Sequence, residues 1–312
     1  MNSPIKYSVV VPVYNEAGNI EELHQRLVKV MEALPGGFEL VYVDDGSKDA
    51  TPSKLANLQP AVVVSFRKNF GQTAALDAGI KQAKGDIVVT LDSDLQNPPE
   101  EIPKLLAYME AQQLDVVSGW RKKRHDSFSK RFVSRGAHWL RTIFLQDGIH
   151  DSGCTLKAYK RYCFEDVDLF GESHRFIPGI LKLHGFSVGE VEVNHQPRKS
   201  GTSKYGTTRI VKGFVDMIGL WFWRNYSHRP LHLFGGSGLG LMLGGTVLLA
   251  LLAIARLIWE YPLSTSIWPL VAVLAIITGL QLFIMGLVSE VLIKTYYSDD
   301  RKPYTIKHVK QQ

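Results

Sequence analysis

Two long segments without charged residues, near the C-terminal end, limit what this chain can fold into. Residues 230–255 contain no Asp, Glu, Lys or Arg, and neither do residues 261–289. About 20 apolar residues in a helix cross the roughly 30 Å of hydrocarbon in a bilayer, so each segment is long enough. The sequence therefore predicts a transmembrane hairpin of two helices over residues 230–294, in an integral protein of the plasma or inner membrane.

Basic residues flank the hairpin and are scarce between its two spans. The connection carries one base and one acid, Arg256 and Glu260. The bases that flank the two uncharged segments are Arg224, Arg229, Lys294, Arg301, Lys302, Lys307 and Lys310. Because Lys and Arg concentrate on the cytoplasmic side of membrane proteins, we predict that both termini lie in the cytoplasm, including a basic tail at residues 295–312.

Three glycines, Gly236, Gly240 and Gly244, recur at four-residue spacing along one face of the first span. Small residues let a second helix approach closely inside a membrane. Two partners fit this face, namely the second span of the same chain or a neighbouring subunit of a homo-oligomer. A flexible face without a partner is the third interpretation.

The first 118 residues alternate between short apolar runs rich in β-branched residues and amphipathic helical segments. We predict strands at residues 7–13, 38–43, 61–66, 86–91 and 115–118, and helices at residues 20–34, 51–58, 72–83 and 100–112. Asn19 and Glu22 have the spacing of a capping box at the start of the first helix. This alternation is typical of an α/β domain with a mostly parallel sheet and right-handed crossovers.

Four polar clusters stand directly after predicted strands. They are Asn15-Glu16, Asp44-Asp45, Arg67-Lys68-Asn69 and Asp92-Ser93-Asp94. Ligands of open α/β sheets bind at the carboxyl ends of the strands. The sequence therefore predicts one site that these clusters share.

Asp92 and Asp94 are separated by one residue where a buried strand opens into a loop. Both carboxylates can face a single hard cation, Mg²⁺ or Mn²⁺, which takes oxygen ligands and shares them with substrate phosphates. A solvated acidic turn is the simpler interpretation of the same pattern. A helix-loop-helix calcium site is excluded, because Asn97 and Pro103 stand where that loop requires Gly and Glu.

Several function classes are disfavoured by what the sequence lacks. No Gly-x-Gly-x-x-Gly follows the first strand and no Walker A loop occurs, which disfavours dinucleotide-dependent oxidoreductases and P-loop nucleotidases. Cys154 and Cys163 are too few for a disulfide framework or a zinc site, so we interpret both as small buried residues in a reducing compartment.

Charge is divided unevenly along the chain. Residues 1–118 carry 16 acids and 10 bases, whereas residues 119–312 carry 14 acids and 26 bases. Basic runs bind phosphate, anionic lipid or nucleic acid. No module of stacking aromatics accompanies them, so we predict no nucleic-acid partner. Residues 204–229 combine apolar and basic residues as in interfacial amphipathic helices, which predicts contact with membrane lipids; a buried domain helix is the alternative.

The order and spacing of six motifs carry a family signal over nearly the whole chain. They are VVPVYNE, VDDGSKDAT, RKNFGQTAAL, LDSDLQNPPE, GWR and PRKSGTSKYG. Together they resemble the family 2 glycosyltransferases of GT-A fold. Within that family the chain is similar to polyprenyl-phosphate or dolichyl-phosphate glycosyltransferases, such as dolichol-phosphate mannose synthase and bacterial two-span polyprenyl-phosphate glucosyltransferases.

The resemblance implies an activity and a division of the chain. The activity is metal-dependent, inverting transfer of a sugar from a UDP- or GDP-linked donor to a polyprenyl or dolichyl phosphate at the cytoplasmic face. A GT-A domain would occupy residues 1–203, interfacial helices residues 204–229, the transmembrane hairpin residues 230–294 and the basic tail residues 295–312.

The resemblance also implies roles for individual residues. Donor-binding residues would be Pro12, Tyr14, Glu16, Val43, Asp45, Asp92, Ser93, Asp94, Arg121, Arg198 and Lys204. Metal ligands would be Asp92, Asp94 and Gln96. Acceptor-phosphate contacts would be Arg121, Arg131 and Ser134, and the catalytic residues would be Asp92, Asp94 and Arg121.

One stretch departs from the family pattern. Residues 151–157 read DSGCTLK, without the aromatic and Arg that many relatives carry there, which leaves sugar or acceptor contacts open at this point. The segment His174-Arg175-Phe176 fits a place near the sugar pocket or a surface loop entering a helix at Pro178.

Two other functions remain as alternatives. A processive polysaccharide synthase shares the fold, but its Gln-x-x-Arg-Trp motif is absent. A membrane-anchored protein that binds nucleotide sugar or lipid phosphate without transferring anything is the second, and the intact Asp92, Asp94 and Gln96 argue against it.

Overall fold

The computed structural model describes residues 4–122, 148–165, 173–196 and 229–298, together with residues 167, 169, 171, 218–219, 221–222 and 225–226. The chain divides into two compact units, Met1–Leu220 and Trp221–Gln312. The finer division of the chain into four segments remains a prediction.

The first unit is built around one mixed sheet. Its strands are β1 (Ile5–Val13), β2 (Gly37–Asp44), β3 (Val62–Ser65), β4 (Ile87–Thr90), β5 (Val116–Trp120), β6 (Lys157–Lys160) and β7 (Val188–Glu192), in the order β3-β2-β1-β4-β6-β5-β7. β3, β2, β1 and β4 run parallel, and β7 runs parallel to β5. The mostly parallel α/β architecture expected from the alternating pattern is confirmed.

β6 is the exception, because it lies between β4 and β5 and runs antiparallel to both. Neither β6 nor β7 was among the predicted strands. The sequence of β6, Lys-Ala-Tyr-Lys, is short and charged at both ends, so it lacks the apolar run by which buried strands are recognised. Its reversed direction brings the beginning of β6 to the edge of the sheet where the parallel strands end.

Helices cover both faces of the sheet. The described helices of this unit are α1 (Ile20–Glu32), α2 (Thr51–Leu55), α3 (Gln72–Gln82), α4 (Ile102–Ala111) and α5 (Ile177–Leu183). Apolar residues of α1, α2 and α4 pack in a core on one face, and those of α3 and α5 pack in a second core on the other. The resulting three layers bury the central strands, as a parallel sheet requires, whereas the edge strand β3 stays partly exposed, with Val62 at 41% and Val63 at 38%.

The predicted capping box at α1 is wrong. Asn19 occupies the N-cap position but makes no side-chain hydrogen bond to the helix. Its Nδ2 instead donates to Glu16 Oε2 at 2.7 Å. The Asn19 side chain therefore braces the loop that follows β1, and this contact replaces the cap.

The second unit contains two long apolar helices, α6 (Pro230–Trp259) and α7 (Trp268–Ser298). Both are long and apolar enough to cross a membrane. They touch along glycines: a Cβ atom on Gly238 would lie 2.5 Å from the carbonyl oxygen of Gly279, and one on Gly245 would lie 2.7 Å from that of Ala272. Glycine is needed here because the two backbones meet directly.

The predicted glycine face is a different one. Gly236, Gly240 and Gly244 are exposed, and a Cβ atom on any of them would have no neighbour within 4 Å. The suggestion that this face packs against the second span is therefore wrong, because that contact uses Gly235, Gly238 and Gly245. The suggestion of a neighbouring subunit stays a prediction.

Candidate functional site

The carboxyl edge of the sheet collects most of the residues that the sequence singles out. The loops after β1, β2, β3, β4 and β5 emerge there, and residues 151–156 reach the same edge before β6 begins. We call this edge the rim. It brings Asp92 into the electrostatic reach of Asp94, of Arg121 after β5 and of Lys157 at the start of β6.

The loop after β4 is held in an uncommon conformation. Leu95 has a φ of 62°, in the left-handed region that non-glycine residues rarely adopt, and its side chain is only 1% exposed. The main-chain N–H of Gln96 donates to Asp94 Oδ1 at 3.1 Å. Burial of the leucine side chain offsets a backbone cost of about 1–2 kcal/mol. The hydrogen bond from Gln96 orients the Asp94 carboxylate.

Asp92 is oriented by neighbours from two other elements. Gln72 Nε2, at the start of α3, donates to Asp92 Oδ1 at 2.7 Å, and Thr155 contributes a further hydrogen bond. Burial and the nearby Asp94 carboxylate raise the pKa of Asp92 to about 6. A cation bound between two neighbouring carboxylates stabilises their ionised forms.

The donor set fits a hard divalent cation only with help from a substrate. Among the residues that the structure describes, no group of three or more His, Cys, Asp or Glu side chains is arranged to hold a metal ion. Mg²⁺ is commonly bound through one or two carboxylates plus substrate phosphates, with water completing the octahedron. Asp92 and Asp94 match that pattern, and Ser93, between them, is buried.

Arg121 follows β5 and forms a buried ion pair with Asp151. The Nε and Nη2 atoms of Arg121 lie 2.7 and 3.0 Å from the two carboxylate oxygens of Asp151, and the side chains are 9% and 6% exposed. Burial acts to lower the pKa of Arg121, but Asp151 raises it above its ordinary value, so the guanidinium remains charged. The pair holds the charged guanidinium of Arg121 beside Asp92.

The residues predicted for the nucleoside lie at the ends of β1 and β2 and on the loops that follow, and these two loops are tied together by hydrogen bonds. Asn15 N–H donates to Ser47 Oγ, and Glu16 N–H donates to Thr51 Oγ1, both at 2.9 Å. Tyr14 and Glu16 are half-buried beside these contacts, and Pro12 is buried in β1.

Two of these residues have structural partners already. Asp45 accepts the main-chain N–H groups of Phe70 and Gly71 at 2.6 and 2.9 Å, so it anchors the loop that leads into α3. Burial raises the pKa of Asp45 above its usual value. The side chain of Val43 is fully buried in the core beneath α3, and its main chain lies in β2 between β1 and β3.

Sequence reasoning missed a buried polar group behind the carboxylates. Lys157 is 2% exposed, and its Nζ donates to the carbonyl oxygens of Ser152 and His174 at 3.5 and 3.4 Å. The ring of His174 is buried and hydrogen-bonds Thr73 Oγ1 at 2.8 Å, so residues 174–176 are not a surface loop. The Lys157 charge acts to lower the pKa of Asp92.

A signal for this group was present in the sequence. Residues 151–157 were recognised as a departure from the family pattern, but without β6 there was no reason to place Lys157 beside Asp92. The remaining predicted site residues, Arg131, Ser134, Arg198 and Lys204, lie outside the described residues. Gln196, close before Arg198 in sequence, donates its N–H to the carbonyl oxygen of Gln96 at 2.8 Å.

Sequence comparison relates the chain to sugar transferases. Residues 8–168 match the family described as glycosyl transferase family 2. A dodecaprenyl-phosphate galacturonate synthase of Rhizobium johnstonii is 36% identical over 99% of this chain and 95% of its own length. An undecaprenyl-phosphate 4-deoxy-4-formamido-L-arabinose transferase of Pseudomonas savastanoi pv. phaseolicola is 38% identical over 96% of this chain and 89% of its own.

Structural comparison supports the fold. Glucosyl-3-phosphoglycerate synthase from Mycobacterium tuberculosis, crystallised with Mn²⁺, UDP and glucosyl-3-phosphoglycerate, matches 70% of this chain and 80% of its own with a TM-score of 0.55 at 19% identity. The same enzyme has also been crystallised with Mg²⁺ and UDP. The likeness extends to the architecture of the sheet and its helices.

Proposed function

This chain belongs to glycosyl transferase family 2, and on that premise we propose that it transfers a sugar from a nucleoside diphosphate sugar to a membrane polyprenyl phosphate. Both relatives named above act, by their names, on polyprenyl phosphates, and they align over nearly all of this chain, including its two apolar helices. The nucleotide is a uridine or guanosine diphosphate, and the product is a polyprenyl-phosphate sugar.

One observation carries the proposal. The carboxylate pair Asp92 and Asp94 and the fixed cation Arg121 come from different strands yet act on one another at the rim. A leaving diphosphate needs positive charge around it, from side chains and from a metal ion. The site offers the first directly and has the oxygen ligands for the second.

Each group then has a defined task. When bound, Mg²⁺ or Mn²⁺ supplies charge that offsets the negative charge growing on the leaving diphosphate. Asp92 and Asp94 hold the cation, with Gln96 as a further oxygen ligand, and Ser93 lies beside the donor. The loops that carry Tyr14, Glu16 and Asp45 receive the nucleoside, and Arg198 and Lys204 bind donor phosphate.

The acceptor phosphate needs little activation by the protein. A lipid phosphate is already an anionic nucleophile near neutral pH, so no strong general base is required. Arg121, Arg131 and Ser134 hold this phosphate opposite the donor, and a single displacement inverts the anomeric carbon. We place both termini and the catalytic domain in the cytoplasm, since the flanks of the hairpin are basic.

The test is sugar transfer with the full-length chain in detergent. Labelled nucleotide sugars are offered together with a short polyprenyl phosphate, with and without Mg²⁺ or Mn²⁺. The panel includes galacturonate and 4-deoxy-4-formamido-L-arabinose donors, the sugars in the names of the relatives. We expect one donor to give a lipid-linked sugar only when a divalent metal is present.

Two variants make the result specific. Asp94→Ala removes a proposed metal ligand and should abolish transfer. Glu100→Gln alters an exposed carboxylate that pairs with Arg26 at 2.6 Å and should leave transfer unchanged. Nucleotide binding without product from any donor would favour the binding-protein alternative, and a polymer on the lipid would favour the polysaccharide synthase.

A further inference from the structure

Glu190, on the edge strand β7, holds a main-chain turn that lies outside its own strand. Its carboxylate accepts the N–H of His150 with both oxygens, at 2.9 and 2.8 Å, and the N–H of Asp151 at 3.2 Å. The ring nitrogen Nδ1 of His150 lies 2.9 Å from Glu190 Oε2. The Glu190 side chain is 10% exposed, whereas that of His150 is 59% exposed. One partly buried carboxylate thus fixes two consecutive peptide groups.

The turn held by Glu190 is the one that carries the partner of Arg121. Asp151 receives the N–H of Arg121 at 3.2 Å in addition to its two guanidinium hydrogen bonds. The main chain of Asp151 is fixed from one side by Glu190, and its carboxylate fixes Arg121 on the other. The contacts therefore run in series from Glu190 on β7 through Asp151 to the guanidinium of Arg121 at the rim.

A second contact keeps this turn against the end of β5. The His150 ring stacks on Trp120 with a centroid separation of 4.6 Å and an angle of 20°. Trp120 directly precedes Arg121 and pairs with Glu192 in the β5–β7 register, where Ser118 pairs with Glu190. The main chain before Arg121 is thus held against β7 by strand pairing, and Asp151 is held against β7 by Glu190.

We propose that Glu190 is a positioning residue for Arg121, which it orients through Asp151. The proposal rests on the function proposed above, in which Arg121 meets a phosphate of donor or acceptor. A carboxylate is required because three N–H groups converge on it. Glutamine at this position has one acceptor oxygen and turns its NH₂ toward the same donors.

Glu192 offers a matched control on the same strand. It stands two residues further along β7, so its side chain leaves the same face of the sheet. Its carboxylate bonds Lys122 Nζ at 2.6 Å, and the two side chains are 51% and 59% exposed. Glu192→Gln removes a charge from the same neighbourhood without touching residues 150–151.

The experiment is a double-mutant cycle on kcat/KM for sugar transfer by the full-length chain. We expect Glu190→Gln to lower kcat/KM by about 10- to 100-fold, the size of loss that a displaced catalytic group produces, and Glu192→Gln to change it less than about twofold. In an Arg121→Met background, Glu190→Gln should cost less than about twofold, since the residue it orients is gone. Equal losses from Glu190→Gln in both backgrounds would overturn the proposal.

Two further measurements separate folding and function. Glu190→Asp keeps the charge on a shorter side chain, so it serves as the test variant if Glu190→Gln does not fold. We expect it to lose less kcat/KM than Glu190→Gln and to show the same dependence on Arg121. If the wild-type chain transfers no sugar, the proposed function fails first. The same cycle is then run on UDP affinity measured by calorimetry with Mn²⁺, where additive effects would count against the role of Glu190.

Discussion

Replacing Asp151 by Asn tests how strongly the buried ion pair with Arg121 stabilises the first unit. The substitution keeps the shape of the side chain but removes its charge, while Arg121 stays 9% exposed. Removal of one partner from a buried pair costs about 3–5 kcal/mol, because the remaining charge is left without compensation. Asn still accepts one hydrogen bond from the guanidinium, so we expect the lower end, about 3 kcal/mol.

That free energy converts into a measurable shift in melting temperature. For a unit of 220 residues, 1 kcal/mol corresponds to about 2–4 °C, so Asp151→Asn should lower the apparent Tm by about 6–12 °C. Glu192→Gln breaks an exposed ion pair with Lys122, which should cost less than about 1 kcal/mol. Scanning calorimetry of the full-length chain in detergent, at one fixed scan rate, gives both values.

A third variant identifies the cause of the loss. Arg121→Met combined with Asp151→Leu removes both charges and keeps the volume buried, so much of the lost stability should return. Equal Tm values for Asp151→Asn and Glu192→Gln would refute the reasoning. So would a double variant that is less stable than Asp151→Asn, because the uncompensated charge would then not be the reason.

Three other variants probe other parts of the chain. Although burial acts to raise it, hydrogen bonds from Tyr162, Ser187 and Lys160 lower the pKa of Asp115 to about 2. The stability this adds, about 1 kcal/mol after allowance for solvent screening of a partly exposed group, is therefore present above about pH 4 and lost as the pH falls toward 2. Tm should fall more between pH 5 and pH 3 in the wild type than in Asp115→Asn. Gly238→Ala should separate the two spans at a cost of about 1–3 kcal/mol, since its Cβ would meet backbone atoms at 2.5 and 2.8 Å. Gly240→Ala, with no atom within 4 Å, should be neutral or stabilising by up to about 1 kcal/mol, and SDS titration in mixed micelles compares the two.

The sequence was most informative where local pattern and tertiary structure agree. The β-branched runs predicted β1 to β5 within a few residues, and the uncharged segments predicted α6 and α7. Strand order was not readable, because the insertion of β6 between β4 and β5 depends on long-range pairing and leaves no periodicity in four residues.

The candidate site shows the same limit. Asp92 and Asp94 were recognisable because two acids directly after an apolar strand are a local pattern. Lys157 and Glu190 were not, since their importance comes from contacts with residues distant in the chain. The prediction of the glycine face of α6 was wrong for a related reason: the spacing of glycines defines a face of a helix but does not say which neighbour lies against that face.

The reversed direction of β6 affects how the domain tolerates insertions. Ser118 in β5 pairs with Lys157 in β6, so the chain leaves the sheet after Trp120 and returns at the same edge. An excursion whose two ends lie at one edge can lengthen, shorten or change its composition without moving either strand. Because loop-closure entropy grows only slowly with length, changes of length between residues 121 and 151 should cost little, while the ion pair of Arg121 with Asp151 ties the two ends together.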